Sequence, residues 1–391
     1  MKVHNYKEVR LGKHSIWIRE GAEKRIEEIE GLVFDCDGVI LDVSRSFMEA
    51  IIRTVKWFFG SVMEVRQPAV SLRHIQMFKN TGAFNNDWEL TYALILYYLT
   101  DLLVKTRKIE VEKVDKVKIA ETYNFFKELG RALKGAEVFF SEGLEEYVAE
   151  IGSEGLRKGM RIAARKLSEA WGVEDHEAAR ILEKLSPFEG EIHDKNIIKR
   201  FFEEVYCGGR LFKEIYEEPA LFYSGKGLIE KEKPIVKRAT LRKILKMGFP
   251  PPGIASGRMR KQTVPLLEKY RIKEYFNLEA STFLEEIEEK EREISKSGRL
   301  LKLDKPNPYP LVATASKMGI KNFAYIGDTV ADVLACINAE TQTGQIVMSI
   351  GVLCSAENKR ELLAKFLELG CDLIIPTPNE IPKVIEGACG K

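Results

Sequence analysis

Gly31-Leu32-Val33-Phe34-Asp35-Cys36-Asp37-Gly38-Val39-Ile40-Leu41-Asp42 is the stretch on which the fold turns. A short apolar run enters a cluster of acids, and a glycine follows the second of them. A run of this length predicts a buried strand that ends in a functional loop. Asp35 and Asp37, two residues apart, then point into one site, where one acid can attack and the other can handle protons. Gly38 permits the sharp exit this requires. The competing reading is a generic acidic loop. A calcium loop of the EF-hand kind fails on spacing, because the glycine follows the second acid directly.

Working outward, residues 15–18 read as a short extended piece and 22–29 as a charged helix. From Ser44 to about Ile235 apolar residues recur at helical spacing, over 48–59, 88–103, 117–129, 144–151, 159–171, 176–185 and 195–205. Gly208-Gly209 punctuates the end of this block. Beyond it, helices at 239–247, 261–270, 310–318, 331–339 and 356–369 alternate with apolar runs at 253–255, 275–280, 323–326, 345–350 and 372–375. A highly charged helix is expected at 284–295. Short apolar strands alternating with helices predict a parallel sheet covered on both faces. The expected architecture is α/β: a doubly wound, Rossmann-like core with a large all-α domain inserted after the first core strand. Core residues 1–43 and 236–391 flank a helical domain over 44–235. Sheets of this kind bind ligands beyond the carboxyl ends of their strands.

Three further motifs would gather there. In Ile254-Ala255-Ser256-Gly257-Arg258 an apolar run ends in a hydroxyl and a glycine. Ser256 and nearby N–H groups suit a phosphate oxygen, or Ser256 caps the helix that follows. In Asp304-Lys305-Pro306-Asn307-Pro308 a lysine fixed before a proline-rich turn presents a steady positive charge, or is a surface lysine beside a helix start. In Tyr325-Ile326-Gly327-Asp328-Thr329-Val330-Ala331-Asp332 a strand ends in an acid, with a second acid four residues later. Such oxygens suit magnesium, or the acids simply favour a helix start.

Acid pair, hydroxyl, lysine and acid pair, in this order, resemble the haloacid dehalogenase superfamily. The resemblance covers the α/β part, about half the chain, and all four motifs are intact. The helical insertion between the first and second motifs is similar to the helical-cap subgroup that includes phosphoglycolate phosphatase and β-phosphoglucomutase. The resemblance implies that Asp35 is the nucleophile and forms an aspartyl-phosphate. Asp37 would protonate the leaving oxygen and then activate water. Ser256 and Lys305 would hold the phosphoryl oxygens. Asp35, the Asp37 carbonyl and Asp328 would bind Mg2+, with Asp332, Gly257 and Thr329 in support. The implied activity is magnesium-dependent removal of phosphate from a small phosphorylated metabolite. A phosphomutase using the same intermediate, or a catalytically silent binding protein, are the alternatives. True dehalogenases similar to this chain lack an acid at the position of Asp37, which favours phosphate esters over carbon–halogen bonds. The insertion and the charged helix at 284–295 are both larger than the family pattern.

Specificity is expected from the insertion. Lys79-Asn80-Thr81-Gly82-Ala83-Phe84-Asn85-Asn86-Asp87-Trp88 sets a cation, amides and an aromatic around a glycine. Lys79, Asn85, Asn86 and Asp87, together with Arg45, are the candidate substrate contacts. The competing reading is an interhelical turn capped by Asn86 or Asp87. Asp35 to Phe47 together with Gly82–Leu90 are similar to a subfamily some of whose relatives are linked with histidine biosynthesis, which points towards an imidazole-containing phosphate. Lys158, Arg161 and Arg165 read as a solvated helix face, and Tyr223-Ser224-Gly225-Lys226-Gly227 as a hinge.

The 391 residues carry a formal net charge of +2. That balance argues against nucleic acid as a partner. No stretch is long and apolar enough for a membrane span, and residues 1–10 lack the apolar centre of a signal peptide, so a cytoplasmic location is expected. No protein partner is indicated. The six cysteines and five histidines have neither zinc-site nor disulfide-framework spacing. The wealth of charged residues fits a hot-living source.

Overall fold

A hairpin of antiparallel strands, β1 (Tyr6–Leu11) and β2 (His14–Arg19), opens the chain. Strand β3 (Gly31–Phe34) follows a short helix, Ala22–Glu28, and is buried along its whole length. The computed structural model describes residues 4–11, 14–84, 86–106, 118–133, 143–188, 190–299 and 301–388. Two compact units emerge: Met1–Ser44 with Glu232–Lys391, and Arg45–Lys231.

The first unit is built on a sheet. Two short strands, β4 (Leu41–Asp42) and β5 (Lys233–Pro234), pair antiparallel with each other. The larger sheet is completed by β6 (Gly253–Ile254), β7 (Phe323–Gly327), β8 (Val347–Val352) and β9 (Leu373–Ile375). Its order is β1-β2-β9-β8-β7-β3-β6. The pairs from β9 to β6 are parallel, and only the β1–β2 hairpin and its junction with β9 are antiparallel. Every residue of β3, β7 and β8 is buried, as strands covered on both faces require. Val33, Leu311, Tyr325, Ala335 and Val347 pack into one core cluster, and Val333, Leu362, Phe366 and Ile374 into another. Each large side chain so buried contributes about 1.5–3 kcal/mol. The fold is the expected α/β sheet with helices.

Three local differences have physical causes. The strand β1 is absent from the sequence reading because its alternation of Lys7, Glu8 and Arg10 with apolar residues suits an edge that faces water. No strand forms over 275–280. Lys273–Tyr275 is a 3₁₀ turn, and Ala255 bridges Thr282 instead. Residues 232–235, expected in the helical block, belong to the first unit, because β5 pairs with β4 and Ile235 N–H donates to Ile40 O at 2.8 Å.

The second unit is helical among its described residues, with helices Phe47–Trp57, Leu72–Lys79, Asp87–Val104, Ile119–Ala132, Leu144–Ile151, Gly155–Trp171, Asp175–Lys184 and Ile197–Tyr216. Asp87–Val104 is its centre, buried on nearly all sides. Trp57 stacks on Phe201 with centroids 4.0 Å apart, and Phe47 on Tyr206 at 3.9 Å. The last helix runs past the expected stop at 205 and kinks at Gly208, where φ is 74°. A Cβ there would lie 2.3 Å from the Gly227 nitrogen, so the Gly225–Gly227 backbone fills the kink. Glu204 anchors the same loop. It is fully buried and accepts N–H bonds from Leu221, Phe222 and Tyr223 at 2.7–2.9 Å, while pairing with Arg200 at 2.9 Å. Among the described residues no helix is long and apolar enough to cross a membrane.

Candidate active site

Register brings three strand ends together. Phe34 stands opposite Ile254 on one side and Ile326 on the other. The residues just beyond, Asp35, Ser256 and Asp328, therefore emerge at the carboxyl edge of adjacent parallel strands. Asp35 N–H donates to Ile326 O at 2.8 Å, which extends the ladder by one residue. The chain then folds back tightly, with Ile40 and Leu41 N–H both donating to Cys36 O. Gly38 makes the fold-back at φ 73°, and a Cβ on it would lie 1.9 Å from Asp328 Oδ2. Only a glycine allows the two acidic loops to approach this closely.

Lys305 reaches into this edge from its own loop, through a Lys305–Pro306 cis peptide. Its buried ammonium lies 3.0 Å from Asp35 Oδ2, 2.6 Å from Asp332 Oδ1 and 2.8 Å from the Tyr325 hydroxyl. Tyr325 in turn donates to Ala255 O at 2.9 Å. Asp332 Oδ2 accepts from Asp328 N–H (3.1 Å), Thr329 N–H (2.9 Å) and Thr329 Oγ1 (2.7 Å). Both oxygens of Asp332 are thus engaged in holding Lys305 and the following helix start.

Asp35, Asp328 and Asp332 offer oxygens that all lie within 4.8 Å of one another. Three carboxylates so close, against one ammonium, leave an excess of negative charge. Burial is the largest of the influences that together leave the Asp35 carboxyl raised to about 7. Lys305 pulls it down, and Asp332 and Asp37 push it up. Burial would lower Lys305, but Asp332 and Asp35 more than offset it and hold the ammonium above its usual range. An added divalent cation would relieve the repulsion. The donors are hard carboxylate oxygens of the type magnesium takes. With Asp332 occupied by N–H, O–H and ammonium donors, Asp35 and Asp328 are the carboxylates placed to hold one. Ser355 Oγ donates to Asp328 Oδ2 at 2.7 Å and steadies it.

The other expected residues fall as follows. Asp37 stands outside the three-acid cluster, its Oδ1 accepting from Arg258 Nη1 at 2.8 Å. Ser256 is buried and its Oγ accepts from Arg258 N–H at 3.4 Å. It caps no helix, since the next one, Arg260–Lys269, has Met259 in the capping position. Gly257 is exposed beside it, and Thr329 caps the helix Val330–Thr343. In the helical unit Lys79 pairs with Asp87 at 3.2 Å. Asn86 caps the helix Asp87–Val104, accepting from Trp88 and Glu89 N–H. These contacts are those of the interhelical-turn reading. Arg45 is exposed, and Asn85 lies outside the described residues.

Four residues of the site escaped the sequence reading: Arg258, Glu232, Tyr325 and Ser355. Arg258 and Tyr325 lie within motifs that were singled out, and a charge or hydroxyl flush against an apolar strand was their signal. Glu232 and Ser355 carry no local signal.

A family model described as haloacid dehalogenase-like hydrolase matches residues 29–340. A crystal structure from the Northeast Structural Genomics Consortium is similar in fold, with a TM-score of 0.62 at 18% identity over 92% of this chain and 99% of that one. A phosphatase from Thermococcus thioreducens matches at 23% identity and a TM-score of 0.44 over 86% of this chain and 98% of that one. An imidazoleglycerol-phosphate dehydratase from Phytophthora nicotianae is 37% identical over 70 residues. That match spans 17% of this chain and 13% of the relative.

Proposed function

We propose that this chain, which belongs to the haloacid dehalogenase-like hydrolases, is a magnesium-dependent phosphatase acting on a small phosphorylated metabolite. The observation that carries this reading is Lys305, which ties Asp35 to Asp332 beside Asp328 at the sheet's carboxyl edge. A bound Mg2+ held by Asp35 and Asp328 would neutralise phosphoryl charge and let an anion approach these acids.

Asp35 is the nucleophile. One of its oxygens attacks phosphorus, the bond from phosphorus to the leaving oxygen breaks, and that oxygen takes its proton from Asp37. Water then attacks the aspartyl-phosphate and gives a proton to Asp37. The bond from phosphorus to Asp35 breaks, and inorganic phosphate leaves. Lys305 neutralises a phosphoryl oxygen throughout, and its place is kept by Asp332 and Tyr325. Ser256 hydrogen-bonds another. The helical unit, joined through the adjacent β4 and β5, acts as the cap that selects the leaving group.

The test is phosphate release from a panel of phosphorylated metabolites, imidazole-bearing phosphates among them, with magnesium and with excess chelator. Magnesium-dependent release from at least one compound is expected. Release unaffected by chelator, or none from any compound or from an aryl phosphate, would overturn the reading.

A further inference from the structure

The acid–base carboxylate of the proposed reaction is held by a charged pair of which one member, Glu232, lies outside every motif. Arg258 Nη1 lies 2.8 Å from Asp37 Oδ1 and 2.8 Å from Glu232 Oε2. The side chains of Arg258 and Glu232 are 0% exposed, whereas Asp37 keeps 24% of its surface open. A buried arginine and glutamate are costly unless paired. The arginine's backbone is fixed at both ends, its N–H donating to Ser256 Oγ and its carbonyl accepting from Leu284 N–H, and its Nη1 is set between the two carboxylates. Its guanidinium therefore aims the partly open carboxylate of the two, Asp37.

Glu232 occupies a telling position. It is the first residue of the sheet-based unit after the inserted helical unit ends at Lys231. Its backbone oxygen accepts from the Tyr270 hydroxyl. The next two residues form β5, paired with β4 on the outgoing connection. The Asp37 turn joins the same ladder, since Gly38 N–H donates to Leu41 O and Ile235 N–H to Ile40 O. One guanidinium thus joins the returning connection to the turn that carries Asp37.

We infer that Arg258, held by Glu232, is a positioning residue that aims the Asp37 carboxylate and ties that aim to the returning connection of the inserted unit. The inference rests on the phosphatase reading, in which Asp37 gives the leaving oxygen its proton. A loss of aim then matters most where the leaving group needs that proton. An alkyl phosphate needs it and a nitrophenyl phosphate does not.

The experiment measures kcat/KM, which covers steps through departure of the leaving group, with magnesium, on p-nitrophenyl phosphate and on the best alkyl phosphate of the panel. Wild type, Glu232→Gln, Arg258→Lys and Asp37→Asn are compared, along with Glu232→Gln in the Asp37→Asn background. A lysine is a point charge and cannot serve both carboxylates as the guanidinium does. Glu232→Gln and Arg258→Lys are each expected to lose about tenfold or more on the alkyl ester beyond any loss on the aryl ester, a part of the roughly 10²–10⁴-fold that general acids supply. In the Asp37→Asn background, Glu232→Gln is expected to add no further alkyl-specific loss. If Arg258→Lys does not fold, the near-isosteric Glu232→Gln carries the comparison. Equal losses on both esters, no loss, or an undiminished effect in the Asp37→Asn background would overturn the inference while leaving the phosphatase reading standing. A wild type inactive on both esters would overturn that reading and the inference with it.

Discussion

Replacing Gly38 by alanine separates backbone strain from the approach of two acidic loops. The residue has φ 73°, so alanine carries the left-handed penalty of about 1–2 kcal/mol. Its Cβ would also lie 1.9 Å from Asp328 Oδ2, where ordinary contact begins at 3.4 Å, so about 1.5 Å must open between the loops. Asp328 is the acid proposed to hold magnesium, an ion that demands ligands at about 2.0–2.1 Å in near-ideal geometry. Disturbing the groups that orient a ligand typically costs about 10–100-fold in metal affinity. Gly21 provides the control, because its φ is 85° and nothing lies within 4 Å of its added Cβ. Gly21→Ala should lose about 1–2 kcal/mol in unfolding measured without metal, and Gly38→Ala at least as much. Only Gly38→Ala should raise the magnesium concentration for half-maximal activity, by about tenfold or more. Identical magnesium dependence in the two variants would refute the reasoning.

Other expectations follow from buried contacts. Glu204→Ala should cost about 3–5 kcal/mol in denaturant unfolding, because it takes the acceptor from three N–H groups at once and leaves Arg200 with Glu218 in place of two carboxylates. A loss below about 1 kcal/mol would mean the loop at 221–223 is held by other contacts. Asn86→Ala should cost about 1 kcal/mol as a lost helix cap and should reduce kcat/KM on large and small phosphates alike. A loss confined to the physiological substrate would return Asn86 to the role of a specificity contact. Lys305→Met should cut turnover of every phosphate ester without loosening β7, since Tyr325 keeps its bond to Ala255 O. Unimpaired turnover would remove Lys305 from the site.

The fold was legible where burial leaves a chain no choice. A strand with neighbours on both sides and helices on both faces must be apolar throughout, and Gly31–Phe34 and Phe323–Gly327 are. Asp35 and Asp328, which meet at the sheet edge, were legible for a related reason, whereas Lys305 comes from a loop and was legible only by its order among the motifs. Charge placed directly after such a run has nowhere to go but the carboxyl edge. What escaped depended on contacts distant in sequence. Arg258 and Glu232 are 26 residues apart and share no periodicity, so their pairing at 2.8 Å exists only in three dimensions. Gly208 read as a helix stop because glycine breaks helices on average. Here the Gly225–Gly227 backbone packs into the kink and the helix resumes. The expected strand over 275–280 makes one bond alongside β6, from Asn277 N–H to Pro252 O, and the bridge that forms falls beyond it at Thr282.

The central claim is that Asp35 receives the phosphoryl group, and the most direct test is to trap it. The protein is mixed with a saturating aryl phosphate and magnesium, quenched in acid within the first turnovers, digested and examined by mass spectrometry. The account predicts a phosphoryl group on the peptide carrying Asp35, absent with chelator and absent in Asp35→Asn. It should persist longer in Asp37→Asn, where water lacks its base. Steady turnover with no phosphopeptide at any time, a phosphoryl group on another residue, or wild-type turnover by Asp35→Asn would contradict it.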